Sequence, residues 1–393
     1  MFRKIVSMIS AVFLLFSAAF AETGGMEVED ELDINDLIKV AEEEKAKDKK
    51  DSDGAYIMTV TCTGDFTIGG DNYHKKDIFT PALDAHDGDI NFIFQETKDI
   101  FMNDDLSIIN FEGTFTNTKN VPKSKRENEF LFNIDPVYAT VLPDNGIEAV
   151  SLDNNHVRDH GEEGLTDTKN ALTEAGVIYS TPLEEGIFNY KGIIDVCMLS
   201  FHCIDRWGDR FKRKYASEYT DEFLQYDSFD EAVCATIAKA KQQYPLVFVS
   251  FHWGTEAVYI PTSNQIRLGR AAVDAGADLV IGHHPHRIQP IEYYKGVYIL
   301  YSLGNFCFAG HSNPRDKSSI IFQIRFRVKN GEVSYKDFRI IPIRISSNKD
   351  SNDFIPKPLG DGYSSDSVIN TLTDKSNTKG LDYVVRQFPF DWQ

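Results

Sequence analysis

Eight residues have side chains suited to holding metal ions or moving protons: Asp65, Glu112, Asn155, His156, Asp159, His252, His284 and His286. Six of them (Asp65, Glu112, Asn155, His252, His284, His286) offer carboxylate, amide and imidazole donors, the set favoured by Mn, Fe and Zn. Any one alone is weak evidence, since an Asp after a strand commonly serves a turn. Together they are a signal, because ordinary turn chemistry does not keep selecting that set. Glu112 has two oxygens and suits a bridge between two cations, while Asn155 adds a neutral oxygen. Two divalent ions held ~3.5–4 Å apart would activate water and clamp a phosphoryl-like or acyl-like centre. His156 directly follows Asn155 and is placed to face substrate, protonating a leaving group or stabilising developing charge. Asp159 either orients that ring or caps the helix opening near Gly161.

His284 and His286 flank Pro285. A residue before proline favours extended geometry, and residues two apart then share a face, so the spacing predicts an aligned pair. His283 should point the other way, in a supporting or structural role. Gly254 and Gly282 remove bulk beside these residues and allow close backbone approach. Glu256 either orients His252 or opens a helix, and Asn305 either touches substrate or makes a turn. His202 ends an apolar run without such neighbours and reads as structural.

The elements that must hold these residues are short apolar runs ending in polar clusters. Residues 56–63 run into Gly64-Asp65, 106–109 into Asn110-Phe111-Glu112-Gly113, and 147–152 into Asp153-Asn154-Asn155-His156. Further runs at 193–201, 246–251, 279–281 and 297–303 end at His202, at His252-Trp253-Gly254, at Gly282-His283-His284-Pro285-His286 and at Gly304-Asn305. These read as buried strands. The candidates therefore sit at C-terminal strand ends, where open α/β sheets assemble ligand sites. Helical spacing appears in the stripe Ile90, Ile93, Phe94, Thr97, Phe101 and in Leu165, Leu172, Ala175 before Gly176. It appears again over 229–244 behind Ser228, and over 265–275 before Gly276. Later strands at 322–328 and 333–341 form a hairpin around Asn330-Gly331. The alternation predicts an α/β fold with a central sheet.

The 393-residue chain has room for one large domain or two ordinary ones. Its formal charge of −19 argues against general nucleic-acid binding. Two basic clusters contrast with that charge: Lys123, Lys125, Arg126, and Arg206, Arg210, Lys212, Arg213, Lys214. They are either ordinary solvated surface or guides for a polyanion. Arg3 and Lys4 precede an apolar stretch over residues 5–20, and Ala19-Phe20-Ala21 matches a small-x-small cleavage pattern. This predicts an exported protein with a signal peptide over 1–21; the alternative, an uncleaved membrane anchor, would have a short span. Residues 22–54 read as an acidic spacer with one short helix behind Asp33. The five cysteines form no C-x-x-C motif, and their spacing identifies no disulfide.

Taken in order, Gly64-Asp65, Asn110-Phe111-Glu112-Gly113, and Asn154-Asn155-His156 with Asp159 and Gly161 resemble the CapA family of poly-γ-glutamate capsule synthesis proteins. His252-Trp253-Gly254 with Glu256, the block at 276–286 and Tyr301-Ser302-Leu303-Gly304-Asn305-Phe306 continue the resemblance. It gives a CapA-like domain over 55–345 and a C-terminal extension over 346–393. The family resembles calcineurin-like metallophosphoesterases, which implies a four-layer αββα sandwich of two sheets flanked by helices. It also implies Asp65 as the first-metal aspartate, Glu112 as the bridging carboxylate and Asn155 as the amide ligand. His252, His284 and His286 are then the remaining ligands, and His156 contacts the scissile group. Thr67 stands where a metallophosphoesterase has His, the bridging residue is Glu instead of Asp, and Asp153 replaces a small residue, either tuning the site or facing solvent. The implied cofactors are divalent metal ions, two of Mn, Fe or Zn. The implied partners are an anionic polymer such as poly-γ-glutamate and membrane-bound synthesis or export proteins. The implied role is metal-dependent hydrolysis or transfer in capsule or envelope polymer biosynthesis. Two alternatives stand beside it: a non-catalytic polymer-binding or export component, and a general secreted metallophosphoesterase.

Overall fold

Strands form where the apolar runs predict them. The computed structural model describes residues 50–71, 77–120, 130–206, 209–360 and 362–389. The signal segment, the spacer up to residue 49 with its helix behind Asp33, and the cluster Lys123, Lys125, Arg126 lie outside the described residues. In chain order the first strands are β1 (Tyr56–Thr67), β2 (Gly70–Asp71), β3 (Leu106–Phe111), β4 (Thr114–Phe115), β5 (Phe132–Ile134), β6 (Ala149–Ser151) and β7 (Ile178–Ser180). There follow β8 (Gly186–Tyr190), β9 (Ile194–His202), β10 (Leu246–His252), β11 (Leu279–His283), β12 (Ile288–Tyr294) and β13 (Val297–Leu303). The last are β14 (Asn305–Phe308), β15 (Ser318–Lys329), β16 (Glu332–Arg344) and β17 (Lys357–Pro358).

Two large sheets result. The first has the order β17-β16-β15-β1-β3-β6-β7, with β14 also paired to β1; the second has the order β12-β13-β11-β10-β9-β8. β1, β3, β6 and β7 run parallel, as do β9, β10, β11 and β13. Buried on both faces, such strands must be apolar nearly throughout. Met58, Val60 and Cys62 of the first sheet meet Met198, Phe248 and Ile281 of the second in a core between the sheets. Outside the first sheet, Phe66, Phe94 and Phe111 pack with Leu165 and Leu172 of α1 (Gly161–Ala175). Outside the second, Val247, Val249 and Phe251 pack with Val233 and Ile237 of α2 (Phe229–Gln243) and Leu268 of α3 (Ser263–Asp274). The arrangement is helix, sheet, sheet, helix, the four-layer αββα class.

Local chemistry explains the helix ends. α1 stops at Gly176, whose φ is 74°. Ser228 with Glu231 and Thr262 with Gln265 form capping boxes for α2 and α3. The β15–β16 hairpin turns at Asn330 (φ 54°) and Gly331 (φ 81°), the left-handed pair a two-residue turn requires. The stripe between Ile90 and Phe101 is not one helix. It divides into a 3-10 turn, Ile90–Phe94, and a short helix, Lys98–Met102, because Ile90, Phe92, Ile93 and Phe94 are all buried and leave no polar face. After residue 345 the chain adds β17 to the first sheet. Val368 and Leu372 of α4 (Tyr363–Thr373) enter the core between the sheets. All five cysteines are free, and only Cys234 is not fully buried.

A bulge in β1 directs the first site residue. Between Cys62 and Asp65 the strand spends three residue steps where β3 spends two, Ile108 to Asn110. Even-numbered residues before the bulge face the second sheet, whereas Phe66 beyond it joins the outer core. Asp65 is thereby turned toward the second sheet. Gly64 is required here, since a Cβ would lie 2.0 Å from the Gly304 carbonyl oxygen.

Candidate metal centre

Strand ends from both sheets meet at one rim. From the first sheet come Asp65, Glu112 directly after β3, and Asn155 and His156 in the loop after β6. The second sheet supplies a row: His202 pairs in register with His252, and His252 with His283. Asn110 donates from Nδ2 to Asp65 at 2.9 Å and lies 3.4 Å from His252 Nδ1. Asn154 donates to the Asn110 side-chain oxygen and the Phe111 carbonyl, and accepts the His156 amide N–H. Asp65 lies 3.2 Å from His283 Nδ1 and 3.1 Å from His286 Nδ1, and accepts the His284 amide N–H at 3.3 Å.

The residues present fit a metal. Both oxygens of Glu112, Oδ1 of Asn155, Nε2 of His252 and Nδ1 of His284 are buried without a hydrogen-bond partner among the described residues. So many unsatisfied buried polar atoms in one place are costly unless something else binds them. Glu112 Oε1 lies 3.6 Å from His252 Nε2 and 3.8 Å from His286 Nε2. Donors ~2.0–2.2 Å from a shared ion stand at about such separations from each other. One donor atom each from Glu112, His284 and His286 falls within 4.8 Å of the others.

The electrostatics agree with the geometry. Burial pushes His252 well below the ordinary imidazole range and His284 down to about 3, so both present neutral lone pairs. Burial also raises Glu112 to about 7. At Asp65 burial acts the other way, but hydrogen bonds from His283 and His286 hold the carboxyl well below its usual range. His286 is disfavoured as a cation by burial, yet Glu112 and Asp65 outweigh this and raise it to about 10. The cluster thus demands positive charge at its centre, which a divalent cation meets while releasing protons.

The structure brings Asp65, Glu112, His252, His284 and His286 together, with Asn155 and His156 on the adjoining loop. Several expectations change. His284 is not extended: its φ is 94° and that of His286 is 50°, so both imidazoles are set by a strained left-handed turn instead of an extended pair. His283 ends β11 and faces Asp65, because the strand continues through it before the turn begins. Asp159 accepts from His156 Nδ1 at 2.8 Å and from the Phe132 amide, while His160 occupies the N-cap position of α1. Glu256 is exposed and opens no helix, since α3 begins at Ser263. Asn305 is a strand residue whose Oδ1 accepts from His286 Nδ1 at 2.8 Å. Asp153 is buried and accepts the His202 amide N–H at 2.6 Å; burial raises it to about 7. Thr67 is buried with its hydroxyl unpaired among the described residues. Arg206 does not join a surface cluster: it is buried, paired with Glu218 and Tyr219. Arg210, Lys212 and Arg213 pair with Asp205, Asp227 and Asp209.

Residues the sequence reasoning missed are Asn110, Asn154 and the orienting role of Asn305. Each stood in a quoted motif, so the signal was present but was assigned to the neighbouring residue. Asn305→Ala leaves His286 without its amide partner. It is expected to lower manganese affinity about 10–100-fold with the fold intact, as read by calorimetric titration. Unchanged affinity would remove Asn305 from the site.

The family model "Bacterial capsule synthesis protein PGA_cap" matches residues 59–310. The PGA biosynthesis protein CapA of Bacillus subtilis (strain 168) is 31% identical over 328 residues, covering 82% of this chain and 79% of that protein. The capsule biosynthesis protein CapA of Bacillus anthracis is 28% identical over 341 residues, covering 82% and 74%. Among solved structures, the calcineurin-like phosphoesterase YfkN from Bacillus subtilis aligns with a TM-score of 0.42 at 14% identity, covering 81% of this chain and 98% of that one.

Proposed function

Because the chain belongs to the bacterial capsule synthesis protein PGA_cap family, we propose that it serves poly-γ-glutamate capsule synthesis through a divalent-metal site at the shared rim of its two sheets. The observation that carries the metal reading is the set of buried donor atoms on Glu112, Asn155, His252 and His284 that lack hydrogen-bond partners among the described residues. The names of the Bacillus relatives support the polymer. Export belongs to the same reading, supported by Arg3, Lys4 and the apolar stretch ending at Ala19-Phe20-Ala21. Its partners would be the anionic polymer and membrane-bound synthesis or export proteins.

Asp65, Glu112, Asn155, His252, His284 and His286 would hold the ions, two in number, with Glu112 between them; Mn, Fe or Zn suits these donors. Bound there, divalent ions supply Lewis-acid charge and a more acidic water, the chemistry of hydrolysis or transfer at a phosphoryl or amide centre. The chain's own part is proton handling and orientation. With the Nδ1–H of His156 donated to Asp159 at 2.8 Å, the proton exchanged during reaction is held at Nε2. Phe132 packs edge-on to that ring at 4.9 Å and restricts its swing. His156 can thus take a proton from a nucleophile or return one to a leaving group.

The test is metal analysis of the purified full chain, then turnover of phosphodiesters and γ-glutamyl polymers with manganese. Wild type is expected to bind metal and turn over a γ-glutamyl substrate, and His156→Ala to keep its metal while losing at least about 100-fold in rate. Turnover of phosphodiesters alone would favour a general phosphoesterase. A metal-free wild type that binds poly-γ-glutamate normally would favour a polymer-binding component.

A further inference from the structure

We propose that His202 is a further positioning residue of this site, the third member of the histidine row, presenting Nε2 to an oxyanion held at the metal centre. The proposal rests on the metal reading above and adds a residue which that reading does not use.

Register and period-2 alternation aim the side chain. Leu199 and Phe201 of β9 face the outer helices. Ser200, between them, points across to the first sheet, where its Oγ meets Ser180 Oγ at 2.5 Å. His202 lies two residues beyond Ser200 and so shares its face. The same relation holds on β10, where Ser250 pairs with Ser200 and His252 with His202. His202 therefore stands beside His252 at the rim, its ring edge-on at a centroid distance of 5.6 Å.

The three members of the row differ in what they face. His283 Nδ1 lies 3.2 Å from Asp65 and His252 Nε2 3.6 Å from Glu112, both carboxylates of the metal cluster. His202 has neither carboxylate, and its Nε2, like Nε2 of His252 and both ring nitrogens of His283, is buried with no hydrogen-bond partner among the described residues. A buried ring nitrogen left unpaired costs stability, and a substrate oxygen beside the cluster would remove that cost. The backbone fixes the position. Asp153 accepts the His202 N–H at 2.6 Å, tying β9 to the loop that carries Asn155 and His156. The next residue, Cys203, donates its N–H to the His252 carbonyl at 2.9 Å. Phosphoryl and carboxylate oxygens share the chemistry required, a compact oxyanion that accepts from an imidazole N–H.

The experiment titrates the manganese-loaded full chain with inorganic phosphate and, separately, with γ-glutamylglutamate, following heat in a calorimeter. Metal content is measured alongside. His202→Ala is expected to keep wild-type manganese occupancy and to bind the preferred probe at least about 10-fold more weakly. His202→Gln, which retains an N–H donor, is expected to recover affinity to within about 3-fold; it carries the test if the alanine variant does not fold. Three results would overturn the proposal: unchanged probe affinity in His202→Ala, loss of manganese with the side chain, or a glutamine variant as weak as alanine. A wild type that holds manganese but neither probe overturns it too. A wild type without manganese instead overturns the metal reading beneath it.

Discussion

Glu112→Gln is expected to remove bound metal while leaving the metal-free fold more heat-stable than wild type. The two effects have one origin. Glu112 is buried in a cluster whose geometry places its oxygens near His252 and His286, yet neither oxygen accepts a hydrogen bond from any described residue. Its carboxylate is therefore desolvated for the sake of something outside the chain, and burial raises its pKa to about 7. Glutamine keeps the volume and removes the charge. Losing the anionic donor shared by the cluster should weaken manganese by at least about 100-fold, beyond the 10–100-fold typical of a supporting partner. In metal-free protein the same change removes a buried charge that no hydrogen bond offsets, a gain of about 1–2 kcal/mol. His286 keeps Asp65 and Asn305 as partners, so its positive charge is not stranded. Metal analysis and melting of chelator-treated protein read the two effects separately. Retained metal would show that Glu112 is not a ligand, and a lower melting temperature would make it a structural partner.

The second large effect concerns the scaffold. A Cβ at Gly282 would lie 2.1 Å from the Tyr301 carbonyl oxygen and 2.6 Å from Trp253 Nε1. Those two atoms are themselves hydrogen-bonded at 2.9 Å, Trp253 just after β10 reaching across β11, which carries Gly282, to β13. The clash therefore falls on backbone and on a buried indole, neither of which can swing aside. Overpacking usually costs about 1–3 kcal/mol, and Gly282→Ala should reach or exceed the top of that range. Thermal melting is expected to drop by about 6–10 °C. Gly176→Ala is the control, because its left-handed φ of 74° is strained for alanine but nothing lies within 4 Å of the added methyl. It should cost only about 1 kcal/mol. Equal losses in the two variants would mean that the close approach at Gly282 is absent.

The strands and the edge where ligands gather were readable because parallel buried strands are apolar throughout and then stop abruptly at polar clusters. That pattern alone was enough to place Asp65, Glu112, His252, His284 and His286 at strand ends. What the sequence could not carry was anything set by a neighbouring strand. His202 looked isolated because its neighbour is His252, fifty residues away and visible only through register. His284 looked extended because a proline follows it, whereas contacts across the rim hold it at φ 94°. Asp159 had two equal readings until α1 was seen to start at Gly161 with the carboxylate turned to His156. Arg206 counted toward a basic cluster because charge in a sequence does not reveal burial. Within the cluster itself, Asn110 and Asn305 were overshadowed by more familiar donors beside them.

The bulge in β1 makes the strand behave like a reading frame with a period of two. One extra residue before Asp65 exchanges inside for outside over everything that follows, up to Thr67. Pairing the same residues without the bulge would turn Asp65 outward and Phe66 inward. Deleting Gly64 instead removes the extra residue itself and leaves Asp65, now two residues after Cys62, opposite Asn110 and on the same face as Cys62. No chemical property of any side chain would have changed. Loss of Gly64 alone should therefore keep the aspartate at the rim, whereas loss of both Thr63 and Gly64 would set it directly after Cys62, turn it outward and be as disabling as removing the aspartate itself. The face of Asp65 is thus set by its register with β3, a property invisible to any comparison made position by position.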